Sequence, residues 1–364
     1  MHSLPNFTMS TPSLQISDLT AARLERAKLS FNVRRVPVEL MQRLLSGQHE
    51  PTSGDLVLAR VVELGQHDRL HLTTGHRSKL YLGDEVLVAY GDRYAPSQFE
   101  AYVPQSLGPC HLAAGGGLAS EVVSANAKMD PATRIEPIGL VADTRGLRLN
   151  LRRFALPPAR VQEARPPVIG VFGTSMDSGK TTALSGLAHG LSRAGFRVAC
   201  VKVTGTGSSN DLFQYRDAGA FLALDFVDAG SVTTYRAGEL DLLRTFETLV
   251  QRSIEAGAEV VLLEIADGLL QPETALLARH PRVRELLDGV LFTAGDAMGA
   301  LMGQRQLADL GHRILALSGI FTMSSLGQRE ARSMSPLPVL SLEQLCDPAQ
   351  ARLLIEARAE RVVG

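Results

Sequence analysis

The stretch Val168-Ile169-Gly170-Val171-Phe172-Gly173-Thr174-Ser175-Met176-Asp177-Ser178-Gly179-Lys180-Thr181-Thr182 constrains the fold more than any other part of the chain. A short apolar run of strand character leads into a glycine-bounded polar loop. An apolar pattern of helical period follows, at Leu184, Leu187 and Leu191. A loop at a helix N-terminus aims backbone N–H groups and the positive end of the helix dipole at one point, which suits a polyphosphate. Lys180 adds a full positive charge for the β- and γ-phosphates, and the Thr181 hydroxyl can ligate Mg²⁺. Read from Gly173, the loop is one residue longer than the strict G-x-x-x-x-G-K-[ST] count. Counted back from Lys180, the first glycine position is held by Thr174. The order of strand, loop, Gly-Lys-Thr and helix marks a nucleotide site, with Gly173, Thr174, Ser175, Asp177, Ser178, Gly179, Lys180, Thr181 and Thr182 as its binding residues.

After Pro167 strands and helices alternate, the signature of a parallel sheet covered by helices. Strands are expected at 168–172, 197–203, 259–265, 289–293 and 313–321, with a weaker one at 338–342. Helices are expected near 180–194, 238–256, 298–310 and 342–361. Ligands of an open parallel sheet bind beyond the carboxyl ends of its strands. That edge collects Lys180 and Thr181, then Lys202 with the run Thr204 to Asp211, then Glu264 and Asp267, then Asp296, and finally Ser318 and Thr322. Phosphate-bound Mg²⁺ needs a nearby carboxylate, and Glu264 and Asp267 are the candidates beside Thr181. Lys180, Lys202 and Glu264 are the expected catalytic groups.

Ahead of this half the period differs. Residues 20–50 carry a mixed helical pattern, with Pro37 at a helix start. From Gly54 onward short strands are separated by Gly, Asp and Pro, and residues 54–151 look like a small β-barrel or sandwich. The run Ala113-Ala114-Gly115-Gly116-Gly117 permits close approach, either of another backbone or of a ligand. Arg145, Arg148, Arg152, Arg153, Arg160 and Arg165 lead through two proline pairs, as a solvated linker or as a strip facing an anion or another subunit. The resulting division is an arm with helices at 1–53, a β-rich barrel-like domain at 54–156, a Pro/Arg linker at 157–167 and an α/β domain at 168–364.

Composition narrows the classes. A length of 364 residues suits two domains, and 45 % hydrophobic with 21 % charged residues describes a soluble globular chain. No apolar run reaches a membrane span, and Met1 to Thr20 lacks the apolar core of a signal peptide and reads as a frayed arm. A net charge of −1 gives no electrostatic case for nucleic acid. Three widely spaced cysteines argue for a reducing cytoplasm rather than a disulfide framework.

Residues 168–325 resemble the dethiobiotin synthetase and cobyrinic acid a,c-diamide synthase group of P-loop enzymes. The loop form G-T-x-x-x-x-G-K-T is matched by Gly173 to Thr181, the second-strand lysine by Lys202, and the third-strand Glu with a following Gly by Glu264 and Gly268. The resemblance implies a P-loop NTPase sheet that binds ATP and Mg²⁺ and phosphorylates a substrate carboxylate or carbamate, which is then attacked within the molecule or by an amine. The chain departs from that group where Thr204-Gly205-Thr206-Gly207 follows the lysine without proline, and where Ile265 and Ala266 separate Glu264 from glycine. No glutamine amidotransferase domain follows. Ser175 stands where MinD-type switch ATPases carry a second lysine.

The expectation is therefore an ATP- and Mg²⁺-dependent cytoplasmic enzyme, ligase or kinase-like, acting on a small-molecule acceptor, homo-oligomeric and without membrane or nucleic-acid partners. Two other classes stay open. One is a nucleotide-dependent assembly or regulatory ATPase; the other is a DNA-handling motor whose barrel precedes its P-loop.

Overall fold

The computed structural model describes residues 15–161 and 165–356. Residues 1–14 of the arm lie outside them, as do 162–164 of the linker and the end of the last expected helix. The rest of the stretch read as a frayed arm, up to Thr20, is instead ordered, with Gln15–Asp18 a strand paired to Arg43–Ser46 and Thr20 a helix cap.

The first half is built from β1 Gln15–Asp18, β2 Lys28–Leu29, β3 Arg43–Ser46, β4 Leu56–Glu63, β5 Arg69–His71, β6 Arg77–Lys79, β7 Glu85–Tyr90, β8 Phe99–Tyr102, β9 Cys110–Ala114, β10 Leu118–Ala125 and β11 Thr133–Ala142, with one short helix, α1 Ala21–Arg26. Strand pairing closes on itself: β11 pairs β4, β4 pairs β7, β7 pairs β10, β10 pairs β9, and β9 returns to β11. Between the two architectures read from the sequence, the fold is a barrel. Val57, Ala59, Val86, Val88, Leu112, Ile135 and Leu140 fill its inside. Leu56, Leu58, Leu87, Ala89 and Leu118 point the other way and pack with Phe226, Val227 and Val232 of the second half. Burial on both faces explains why β4 and β7 read as continuous apolar runs rather than as alternating ones.

The helical reading of 20–50 is corrected. Only α1 is α-helical there; Val38–Leu40 is a single 3-10 turn after Pro37, and Arg43–Ser46 is a strand between β1 and β11. Leu44 and Leu45 are both buried because the two faces of β3 are covered by different apolar clusters. That adjacency mimics a helical spacing.

The second half is a six-stranded, wholly parallel sheet: β12 Val168–Gly173, β13 Val198–Lys202, β14 Leu222–Asp225, β15 Val260–Glu264, β16 Gly289–Thr293 and β17 Ile314–Ser318, in the order β14-β13-β15-β12-β16-β17. Its helices are α2 Lys180–Arg193, α3 Ser209–Asp217, α4 Glu239–Glu255, α5 Pro272–Arg279, α6 Pro281–Leu286, α7 Ala297–Asp309, α8 Ser325–Met334, α9 Leu342–Cys346 and α10 Pro348–Glu356. Leu184, Leu187 and Leu191 of α2 bury against Ile169, Val171 and Leu262 on one sheet face, while Phe246 and Leu249 of α4 bury against Val168, Phe172 and Leu263 on the other.

Several sequence expectations change here: helices α3, α5, α6 and α8 were not expected, and the strand expected at 313–321 ends at Ser318, with a 3-10 turn over Ile320–Met323. Strand β14 was not expected; at four residues it is too short for its pattern to register. The weak strand at 338–342 is one parallel bridge, Leu317 to Val339. The helix expected at 342–361 is divided at Asp347, because a residue before proline is driven out of the helical region.

The halves meet closely. Arg34 reaches Asp225 at 2.7 Å and Asp228 at 3.0 Å, both aspartates nearly fully buried. At the glycine run, a Cβ on Gly116 would overlap the Gly207 carbonyl. Close backbone approach between the halves is thus one use of that run. Four of the arginines at 145–165 are committed to carboxylates: Arg145 and Arg153 to Asp143, Arg148 to Asp55 and Arg165 to Asp288. They do not form a free anion-facing strip.

Candidate functional site

The loop between β12 and α2 is shaped by two left-handed residues, Asp177 at φ 62° and Gly179 at φ 95°. The second lies directly before Lys180 and lets the backbone turn into the first helical residue, where glycine is the unstrained choice. Ser178 is buried and hydrogen-bonds the Thr293 hydroxyl at 3.0 Å, fastening the loop to the end of β16. Lys180 is 5 % exposed, and its ammonium donates to the carbonyls of Ser175 and Asp267, both at 2.7 Å. Burial lowers its pKa, while Glu264 and Asp267 oppose that shift. Neutral carbonyls are replaceable partners, so this ammonium is held in position without being neutralised.

Lys202 is placed differently. At the end of β13 it bridges Asp211 at 2.6 Å and Glu264 at 3.1 Å. Burial alone would lower its pKa, yet the two carboxylates outweigh it and raise the value, so the lysine is charged. Glu264 is 1 % exposed at the end of β15 and accepts a 2.7 Å hydrogen bond from the Tyr215 hydroxyl. Burial pushes Glu264 up, but Lys202 and Lys180 hold it below the ordinary range and keep it ionised; hydrogen bonds from Tyr215 and Thr181 act in the same direction. The structure therefore brings together Lys180, Thr181, Lys202 and Glu264, as expected from the sequence edge.

Asp267 sits three residues beyond β15 in a left-handed conformation, φ 63°. Burial lifts its pKa to about 6, against the pull of Lys180 and Lys202. Its carboxylate makes no hydrogen bond or ion pair with the described residues and lines the cleft. Among the described residues no group of three or more His, Cys, Asp or Glu could hold a metal alone. Mg²⁺ beside phosphates needs only one or two protein oxygens. The donors here fit that requirement: the Thr181 hydroxyl beside ionised Glu264, and the unpartnered Asp267 carboxylate.

Sequence reasoning placed Asp211 on this edge without a role and missed Tyr215. Both lie on α3, four apart, and so share one face toward β13 and β15; that spacing after Lys202 was the available signal. It also missed the opposite wall. A cleft of about 1240 Å³ extends from the phosphate loop to the barrel, lined there by Gln66, His67, Arg69, His71, Arg93 and Tyr94 among others. His71 Nδ1 lies 3.0 Å from the Ser209 hydroxyl and joins the walls. No local motif marks these residues, because the separate β5-β6 hairpin, held to the glycine run by His71 N–H on the Gly115 carbonyl, and the segment after β7 reach the cleft only through tertiary contacts.

No helix of the described residues is long and apolar enough to cross a membrane. Cys110, Cys200 and Cys346 are all free thiols.

No family model matches this chain, and no curated protein matches it. Solved structures similar to it include the signal recognition particle receptor FtsY from Elizabethkingia anophelis in complex with GDP (18 % identity, TM-score 0.37, 54 % of this chain and 66 % of that one). FtsY from Mycoplasma mycoides aligns at 15 % identity and TM-score 0.34, over 54 % of this chain and 68 % of its own. The kinase domain of Escherichia coli tyrosine kinase ETK aligns at 16 % and 0.33, over 43 % and 68 %. The chain spans just under two thirds of the first of these. The β12 loop, its Gly-Lys-Thr and the parallel sheet carrying them make the second half a P-loop NTPase fold, joined to a separate β-barrel.

Proposed function

We propose that the chain is a nucleoside-triphosphate- and Mg²⁺-dependent enzyme that transfers the γ-phosphoryl group to a small molecule held between the phosphate loop and the barrel. One observation carries this reading: the cleft has the phosphate loop on one wall and barrel residues on the other. Its volume of about 1240 Å³ exceeds the roughly 300–1,000 Å³ usual for a single-ligand site. An acceptor oxygen would attack the γ-phosphorus as its bond to the bridging oxygen breaks, and the nucleoside diphosphate would leave. Phosphoryl transfer asks for positioning and charge neutralisation, which Lys180 supplies at the loop and Lys202 at the neighbouring strand end. Mg²⁺, bound through Thr181 with Glu264 or Asp267, would neutralise the phosphate oxygens. The resemblance to the dethiobiotin synthetase group favours ATP over GTP, a carboxylate acceptor and a ligase-like second half. Free cysteines fit a cytoplasmic setting.

A second reading, an assembly or regulatory NTPase, draws on one feature. Met298 and Met302 on α7, Met323, and Leu326 on α8 are 78, 67, 87 and 60 % exposed near the loop edge of the sheet. A partner or second copy could cover them. The deciding experiment is nucleotide turnover by the purified chain, with ATP and with GTP, in the presence and absence of a fractionated small-molecule extract. The enzyme reading expects turnover that rises with one small-molecule fraction at fixed protein concentration. Specific turnover that ignores every fraction and climbs with protein concentration would replace it with the assembly reading.

A further inference from the structure

Among the cleft-lining residues, Arg93 is exceptional in its partners. Reciprocal backbone bonds with Ala101, at 2.7 and 3.1 Å, fix its place after β7. It is 6 % exposed and lines the cleft. Of its five N–H donors, one on Nη2 reaches Gln98 Oε1 at 2.6 Å. Nη1 lies 3.2 Å from His67 Nε2, but that nitrogen is also 3.0 Å from the Ala113 carbonyl. That one nitrogen cannot donate to the carbonyl and accept from Arg93 at once, so in the tautomer that satisfies Ala113 the ring offers Arg93 no lone pair there. Nε has no partner, and the one carboxylate that acts on this guanidinium, Asp267, does so through its field without a hydrogen bond.

A buried cation without a counter-ion is costly, and proteins pair such charges or leave them for a ligand. Burial drives the Arg93 pKa down to about 10, with only the more distant Asp267 opposing it, so the side chain remains charged at neutral pH. Exposed Arg69 and Arg77 stand on the same wall, and Asp68 is the single carboxylate among its cleft-lining residues. On the facing wall Asp211 and Glu264 bind Lys202, while the Asp267 carboxylate is unpartnered but lies beyond ion-pair distance of Arg93 and acts on it only through its field. A guanidinium fork with free donors matches two oxygens of a carboxylate or a phosphate.

We propose that Arg93 anchors an anionic group, carboxylate or phosphate, of the molecule that occupies the barrel side of the cleft. This rests on the reading that the cleft holds an acceptor beside the nucleotide.

The test is calorimetric titration of succinate, and separately of inorganic phosphate, into the full chain saturated with Mg²⁺ and a β,γ-methylene nucleoside triphosphate. The analogue fills the γ-phosphate position, so added phosphate cannot report on the loop. The expected result is saturable millimolar binding of one probe, which also says whether the anion is a carboxylate or a phosphate. Arg93→Gln should weaken it roughly 10- to 100-fold with unchanged analogue affinity. Arg93→Lys keeps the charge without the fork and should fold even if Arg93→Gln does not; it should still lose most of the binding. Binding of neither probe to the parent, or binding that Arg93→Lys leaves intact, overturns the proposal. Acceptor-dependent turnover with Arg93-independent anion binding would overturn this assignment alone. Arg93-dependent anion binding without any acceptor-dependent turnover would instead overturn the enzyme reading.

Discussion

The two walls of the cleft handle charge in opposite ways. On the phosphate-loop wall Lys202 is shared by Asp211 and Glu264, and Lys180 rests on two backbone carbonyls. On the barrel wall Arg93 is as deeply buried as Lys180 but has one neutral amide partner. The difference is sharpest between Lys202, already balanced by two carboxylates, and Arg93, whose direct partner is neutral. A balanced network keeps its geometry through a reaction cycle, whereas an unbalanced cation spends its field on whatever enters.

Substitutions can break this comparison at several strengths. Removing the Lys180 ammonium should have the largest effect: Lys180→Ala is expected to lower nucleotide turnover by roughly 10³-fold, the upper size for loss of one transition-state charge partner. Its melting temperature should fall less than that of Lys202→Ala, because the direct partners of Lys180 are two carbonyls and Glu264 keeps Lys202 beside it; turnover at the parental rate would remove the loop from the mechanism. Lys202→Ala should reduce turnover by roughly 10²-fold. Unlike Lys180→Ala it should also cost about 3–5 kcal/mol of stability, since two carboxylates lose their cation. Denaturant unfolding separates the two effects, and Lys202→Met combined with Asp211→Asn should regain part of the stability without the turnover. Tyr215→Phe removes a hydrogen bond to ionised Glu264 and is expected to cost about 1.5–3 kcal/mol. A loss confined to the Mg²⁺ requirement, with unfolding unchanged, would show that the hydroxyl serves the metal rather than the network.

Acid should act on the barrel wall with the smallest slope. Burial, with help from the Arg93 charge, lowers the pKa of His67 to about 4, and burial with Arg77 does the same for His71. Both are therefore neutral when folded and take up protons on unfolding between about 6.5 and 4. Their contribution is complete above the unfolded value and is lost as pH falls through that window. Each can add up to about 1.4 kcal/mol per pH unit to the slope. Unfolding midpoints from pH 7 to pH 4.5 should show the slope in the parent and a shallower one in His67→Gln.

How much of this was legible in the sequence depended on whether the signal is local. Gly179, Lys180 and Thr181 declare themselves within one turn of chain, and the apolar runs at β12, β13, β15 and β16 are long enough to register. Lys202 and Glu264 followed from the rule that strand ends face the ligand. By contrast Leu222–Asp225 is a strand because β13 lies beside it, not because its four residues insist on it. Leu44 and Leu45 suggested a helix because a strand with both faces covered has no alternation to show. Arg93, His67 and Arg77 lie 87 or more positions before Lys180 in the chain. Only tertiary contacts, among them the separate β5-β6 hairpin docked on the glycine run, bring them to the cleft, and no spacing rule reaches that far.

The barrel ring has a consequence for how the protein is made. Strand β11 is the last of the five to be synthesised and the one that pairs with both β4 and β9. Until residue 142 has left the ribosome, β4 and β9 each keep an unpaired edge, and the ring stays open while the nascent chain lengthens. Exposed strand edges invite pairing with other chains. The interval between the emergence of β9 and the arrival of β11 is therefore when the nascent chain is most open to misassembly, before the phosphate loop has left the ribosome.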